Sequence, residues 1–222
     1  MKELIKKVIP TPLLQASLKA FHQINPFDKQ KDNLINTPVA TQYTGDAESV
    51  LQCCIAYNKY GGYCVPLSSL HRPATQKILL GEVWEHKTLE FMLEHCGTKD
   101  IIHAGTYFGD FLPALSKACA IDAKIWAFEP QPENYRCAVI TTFLNNLANV
   151  VLENAGLGSQ VGSMPMLVTD RIGQPLGGAS RIIDTQKSLK EQIIVKEQLV
   201  EVKILKIDDV VPIDREVSIY TT

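Results

Sequence analysis

The residues whose types and spacing best suit chemistry are two glycines four positions apart, Gly105 and Gly109, and an acid further along the chain, Glu129. A glycine turn between a strand and a helix permits positive φ or close approach of a ligand, and free amides at the helix start favour an anion or a carboxylate. An acid that ends the next strand can accept hydrogen bonds from both ribose hydroxyls of an adenosine. The spacing therefore predicts a nucleotide-type site.

Two successive strand-to-helix units are predicted to position these residues. Ile101 and Ile102 form a short apolar run before the turn, which is typical of a strand buried on both faces. From Gly109 the period becomes helical, and Asp110 is placed in the first helical turn, where a carboxylate suits the helix dipole. The apolar run 125–128 predicts the second strand, which ends at the acid.

The remaining elements follow from apolar periodicity and from turn residues. Pro130 and Pro132 stop the second strand and open a helix over 133–145, with one side formed by Tyr135, Val139, Thr142 and Phe143. The other predicted elements are a hairpin of 51–57 with 63–67 (alternatively a helix over 47–58), helices over 73–80 and 85–96, a strand over 149–153, a loop over 154–158, an inserted glycine-rich loop over 173–178 ending in Ser180 and Arg181, and strands over 200–207 and 217–220.

The glycine spacing narrows the class of ligand. GxxxG departs both from the GxGxxG of dinucleotide-binding turns and from the phosphate loop GxxxxGK[ST], which disfavours dinucleotides and nucleoside triphosphates together. Alone, GxxxG is compatible with a structural turn. Joined to a strand before it, a helix after it and a second strand that ends in an acid, it indicates a binding site.

Four ordered stretches carry a resemblance to a known family. HAGTYFGDFLPALS, VWEHKTLEFM, AFEPQPENYRCAVIT and NNLANVVLENAGLG together resemble the FkbM family of S-adenosylmethionine-dependent methyltransferases over roughly residues 60 to 220. The first motif of that family commonly reads D-x-G-A-N-x-G. Here His103 replaces its aspartate, and Thr106 and Tyr107 replace Ala-Asn. The departure affects any role of that aspartate but leaves the glycine geometry intact.

The resemblance implies a fold, a cofactor and a reaction. The expected fold is the α/β, Rossmann-like sheet of class I methyltransferases with helices on both faces. The expected cofactor is S-adenosyl-L-methionine, and the expected reaction is O-methylation of a hydroxyl on a sugar or another small-molecule acceptor. The chemistry asks an enzyme for alignment, exclusion of water and removal of a proton.

The resemblance also implies which residues bind the cofactor. The turn would shape its methionine side, Glu129 would hold the ribose, and Ala155 with its neighbours would border the adenine. Glu85 and Thr88 would approach the amino-acid end, or else form only a helix start. The full predicted set is Glu85, Thr88, His103, Gly105, Thr106, Tyr107, Gly109, Asp110, Glu129, Pro130, Ala155 and Gly156.

No catalytic base is assigned from the sequence. His103 titrates in the useful pH range, but a single histidine in a strand is more often a hydrogen-bonded structural residue. Asp110 can be a base, a cofactor contact or only a charge at the helix start. No metal is predicted, because the six cysteines contain no CxxC pair.

Composition excludes several other classes of protein. The 222 residues carry a formal net charge of −2 and are 45% hydrophobic, which suits a globular domain with an extension. The absence of a basic excess argues against nucleic acid as a partner. No signal-like start and no apolar run long enough for a transmembrane segment are present, so we expect a cytoplasmic protein with reduced cysteines.

The chain is predicted to consist of a helical extension and connector over 1–46 and a methyltransferase-like domain over 47–222. It ends in the apolar run 217–220, where the resembled family begins its fourth sheet strand and continues further. We therefore expect a truncated gene, a fragment, or a short member whose apolar edge strand pairs in a homo-oligomer. The alternatives to the methyltransferase are a catalytically impaired binding or interaction module and, less favoured, a nicotinamide-dependent oxidoreductase.

Overall fold

The computed structural model describes residues 50–183 and 199–221. The predicted extension and connector over 1–46 lie outside these residues. In chain order the elements are β1 (Cys53–Asn58), β2 (Gly61–Pro66), α1 (Pro73–Leu79), α2 (His86–His95), β3 (Asp100–Ala104), α3 (Leu112–Ala118), β4 (Ile125–Phe128), α4 (Pro132–Leu144), β5 (Val150–Glu153), β6 (Gly156–Leu157), β7 (Gly162–Leu167), β8 (Arg181–Ile182), β9 (Leu199–Leu205) and β10 (Val217–Thr221).

A parallel sheet of four strands, in the order β10-β3-β4-β5, forms the centre of the fold. Its register sets Ile102 opposite Trp126, and Phe128 opposite Glu153. Helices flank this sheet, so the fold is mixed α/β and compatible with a Rossmann-like arrangement. The two strands predicted on either side of the glycine turn and its helix are confirmed as β3 and β4. Their short apolar runs suit strands that are buried on both faces.

The main hydrophobic core lies between the parallel sheet and two helices. Leu89 and Met92 of α2 pack with Leu112 and Leu115 of α3 against Ile101 and its neighbours in the sheet. A second cluster joins the β1–β2 hairpin to α1 and α4 and includes Tyr63, Phe108 and Cys137. The hairpin prediction is confirmed, and the helix alternative over 47–58 is wrong for the described residues, since β1 pairs with β2 throughout.

Helix α4 buries a different side from the one its apolar residues mark. Val139 is 41% exposed and Phe143 is 85% exposed, whereas the buried residues are Asn134, Cys137, Ala138 and Thr141. One of the polar members bonds to the hairpin: the Cys64 amide donates to Thr141 Oγ1 at 3.0 Å. Hydrogen bonding to a strand of the hairpin therefore helps to decide which side of α4 is buried. The apolar periodicity of the helix does not predict that side.

A second sheet, in the order β6-β9-β7-β8, follows the parallel one. Strand β7 pairs antiparallel with β8 and β9, and β6 pairs parallel with β9. The strand predicted over 200–207 is confirmed as β9. Its residue pattern predicts an exposed strand, but Val202 and Ile204 are buried. No helix within 50–183 or 199–221 is long and apolar enough to cross a membrane.

Candidate functional site

The turn after β3 contains two glycines with different surroundings. Gly105 has a φ of 76° and Gly109 a φ of 81°, both in the left-handed region. A Cβ added at Gly105 would meet no atom within 4 Å, whereas one at Gly109 would lie 3.2 Å from Leu112 Cδ1 and 3.3 Å from Thr141 Cγ2. The first glycine faces open space and the second faces the core.

Glu129 lies against this turn, as the sequence predicts. The Tyr107 amide donates to Oε2 at 2.7 Å, and the Gln131 amide donates to Oε1 at 2.9 Å. Asn134 Nδ2 is 3.5 Å from Oε1. The residue is 4% exposed, and burial raises its pKa to about 7 even though these donors act in the opposite direction.

A cavity of about 280 Å³ opens beside Glu129. Five of the predicted residues line it: Gly105, Glu129, Pro130, Ala155 and Gly156. Its other walls are largely apolar and include Phe128, Leu157, Met166 and Ile182. We call it the first cavity. A carboxylate at one side and apolar walls elsewhere are the features that a nucleoside requires.

An adjoining cavity of about 530 Å³ has a different character. Six of the predicted residues line it: Glu85, Thr88, His103, Gly105, Tyr107 and Asp110. We call it the second cavity. It shares Ala104, Gly105, Gly178 and Ser180 with the first, so the two cavities meet at the turn.

Two of the predicted residues line neither cavity. Thr106 is fully buried, and its amide donates to Phe128 O at 3.1 Å while its carbonyl accepts from the Gly109 amide at 2.8 Å. Gly109 is packed against Leu112 and Thr141. Within the described chain these two residues shape the turn, and their neighbours line the cavities.

His103 differs from the hydrogen-bonded structural histidine that is usual in a strand. It is 6% exposed, and neither ring nitrogen has a partner among the described residues. Its ring packs edge-on against Phe111, with centroids 5.8 Å apart. Burial lowers its pKa to about 4, so the imidazole is neutral near pH 7 and presents one donor and one acceptor.

Asp110 is not in the first turn of its helix. Helix α3 begins at Leu112 after the N-cap Phe111, and no acid lies in its first turn. Burial, with a smaller contribution from the charge of Glu85, raises the pKa of Asp110 to about 7. The interpretation of Asp110 as a helix-dipole charge is therefore wrong for this structure.

Glu85 does not act as an ordinary helix start either. It is the N-cap residue of α2, with a φ of 50°, and its side chain makes no capping hydrogen bond. Left-handed backbone at a non-glycine residue is costly and is often found at functional sites. Glu85 and Thr88 are exposed at the second cavity.

The sequence interpretation missed several lining residues. Arg72 and Trp84 line the second cavity, and Asn134 and Tyr220 line the first. The glycine-rich loop does lie over the site: a Cβ at Gly178 would be 3.2 Å from the Tyr107 ring. The run of glycines was the available signal for the loop. Arg72 and Tyr220 come from elements distant in the chain, which local spacing does not indicate, whereas Trp84 adjoins Glu85 and Asn134 lies five positions after Glu129.

In comparisons with known proteins, no family model and no curated protein matches this chain. Within the described residues, no group of three or more His, Cys, Asp or Glu side chains is arranged to hold a metal ion.

Proposed function

We propose that this chain is an S-adenosylmethionine-dependent methyltransferase of the FkbM type, acting on a hydroxyl of a sugar or other small molecule. The observation that carries the proposal is the pair of cavities that meet at Gly105. The first has Glu129 beside apolar walls, and the second has carboxylates at Glu85 and Asp110. An elongated ligand with a nucleoside at one end and a positive charge at the other end would match these two cavities.

The acid content of the site favours such a ligand over a dinucleotide. A pyrophosphate at the turn would need free amides, yet the Tyr107 amide already donates to Glu129. It would also face the carboxylates of Asp110 and Glu85. Anions bind helix starts that lack such charges, so the nicotinamide-dependent alternative is disfavoured.

The residues present fit S-adenosylmethionine, which would supply an activated methyl group. Glu129 would accept hydrogen bonds from the ribose hydroxyls, and Ala155 and Gly156 would leave room for the adenine. Asp110 and Glu85 would attract the ammonium of the amino-acid end. The glycine-rich loop over Tyr107 would exclude water, and alignment of the acceptor hydroxyl would provide much of the rate.

Calorimetric titration of the full chain tests the proposal. We expect S-adenosylhomocysteine to bind with one-site stoichiometry and NAD to give no heat of binding under the same conditions. Binding of NAD without S-adenosylhomocysteine would instead support the oxidoreductase. Binding of neither ligand, together with self-association in ultracentrifugation, would support an interaction module.

Two further expectations are part of the proposal. Among the described strands, β10 pairs with β3 alone, and Tyr220 of β10 is 57% exposed. Exposed strand edges favour pairing with another chain, so the same ultracentrifugation measures the proposed homo-oligomer. A cytoplasmic location is a prediction that fractionation of cells expressing the full chain would test.

A further inference from the structure

The second cavity has an excess of negative groups. Glu85 and Asp110 line it, and Glu129, which accepts a hydrogen bond from the Tyr107 amide, lines the adjoining first cavity. None of the three carboxylates has an ion pair within the described part of the chain. In addition to burial, the charge of Glu85 raises the pKa of Asp110 and the charge of Asp110 raises the pKa of Glu129, since like charges repel.

The groups that could balance these acids do not do so. His103 lines the same cavity, is 6% exposed and is uncharged near pH 7, with both nitrogens unpartnered among the described residues. Arg72 lines the second cavity and Arg181 lines the first, but neither forms an ion pair with these acids among the described residues. A buried polar ring without partners indicates that a ligand completes its hydrogen bonds. A positively charged ligand would also offset the acids.

We propose that Glu85 and Asp110 make this site selective for positive charge at the sulfur centre of its ligand. The donor, with its sulfonium, then binds more tightly than the demethylated thioether product. This inference rests on the proposed function. It adds a mechanism for product release, because loss of the methyl group removes the positive charge that the carboxylates attract.

The test is a calorimetric comparison of three ligands of nearly equal shape at pH 8 and low salt. S-adenosylmethionine carries a sulfonium, sinefungin carries an ammonium in its place, and S-adenosylhomocysteine has a neutral thioether there, while all three share the ammonium of the amino-acid end. We expect the two cationic ligands to bind the full chain at least fivefold more tightly than S-adenosylhomocysteine. The difference should shrink as salt is added.

The outcomes separate this inference from the proposed function. Equal affinity for all three ligands would overturn the charge selectivity and leave the methyltransferase proposal intact. Failure of all three to bind would overturn both. Tighter binding of S-adenosylhomocysteine than of either cation would also reject the selectivity.

Substitutions identify the groups responsible. In Glu85→Gln and in Asp110→Asn, the preference for S-adenosylmethionine and sinefungin over S-adenosylhomocysteine should fall at least twofold. Affinity for S-adenosylhomocysteine should also fall, through the ammonium that all three ligands share, but by a smaller factor. If Asp110→Asn disturbs folding, Glu85→Gln still tests the assignment, because Glu85 is exposed and its substitution should leave the fold intact. The matched control is Glu94→Gln, an exposed acid of α2 that lines neither cavity. An unchanged preference in Glu85→Gln and Asp110→Asn would contradict the assignment.

Discussion

Two buried carboxylates lie at opposite ends of the parallel sheet and have opposite surroundings. Asp100 begins β3 with its side chain 1% exposed, and Glu129 follows β4 and is 4% exposed. Asp100 accepts from Arg215 Nε at 2.7 Å, from Trp126 Nε1 at 2.7 Å and from the Lys124 amide at 2.8 Å. Glu129 has amide donors but no cation among the described residues.

The consequence is a pKa shift of opposite sign. At Asp100, burial alone would raise the pKa, but the Arg215 guanidinium and the other donors outweigh it and lower the pKa below its ordinary value. At Glu129, burial dominates and the pKa rises to about 7. One end of the sheet therefore uses a carboxylate for stability, whereas the other keeps an uncompensated acid beside a cavity. Local rules are often broken in this way at functional sites.

The comparison predicts its largest effect for Asp100→Ala. The substitution leaves Trp126 Nε1, the Lys124 amide and the Arg215 guanidinium without their acceptor, so we expect the free energy of unfolding to fall by about 3 kcal/mol. Urea denaturation measures it. Glu216→Ala is the control, because the Lys99–Glu216 pair is exposed and should contribute less than about 0.5 kcal/mol. Equal losses in both variants would contradict the structural role of Asp100.

Glu129→Ala should act on binding. Removal of charge-assisted hydrogen bonds to the ribose would cost about 1.5–3 kcal/mol, so calorimetry should show affinity for S-adenosylhomocysteine reduced by about tenfold or more. The stability loss should be smaller than for Asp100→Ala, because an uncompensated buried charge is removed. Glu133→Ala, which loses a hydrogen bond from Ser68 and lines neither cavity, should bind normally. Unchanged affinity in Glu129→Ala would argue against the ribose contact.

The two carboxylates should also give opposite pH dependence of stability. Asp100 has a lowered pKa, so its contribution is present above its ordinary value of 3.8 and is lost as the pH falls. Glu129 has a raised pKa, so stability should decline as the pH rises from about 4.5 to about 7, where the folded state gives up its proton.

Urea midpoints measured between pH 3 and pH 8 test this expectation. Glu129→Gln should flatten the decline towards neutral pH without abolishing it, because Asp110 also has a pKa raised to about 7. Asp100→Asn should flatten the acid side. A wild-type profile that rises steadily up to pH 8 would contradict the uncompensated state of Glu129 and Asp110.

The smallest expected difference separates the two glycines of the turn. Gly105→Ala should lose about 1 kcal/mol of unfolding free energy, from backbone strain alone, because no atom lies within 4 Å of the new Cβ. Gly109→Ala should lose more, since its Cβ would press on Leu112 and Thr141. Ligand affinity should show the reverse order, because only Gly105 lines the cavities. Thermal unfolding with calorimetric binding of both variants would test this.

What the sequence alone determined about this protein is its local structure. The strand, glycine turn and helix at 100–118, the strand that ends at Glu129 and the β1–β2 hairpin follow from apolar period and turn residues, and the structure contains all of them. The proximity of Glu129 to the glycine turn also follows from the sequence, because adjacent parallel strands bring their carboxyl ends together. These features depend on residues close in the chain or in consecutive units.

Only the tertiary structure decided the charge states and the partners. Asp100 meets Arg215, which is 115 positions away, and helix α4 turns the side that carries Cys137 and Thr141 towards the hairpin. Among the described residues, His103 has no hydrogen-bond partner, and burial by elements far apart in sequence raises the pKa of Asp110. Desolvation depends on all the atoms that surround a group, whereas periodicity reports only its neighbours along the chain.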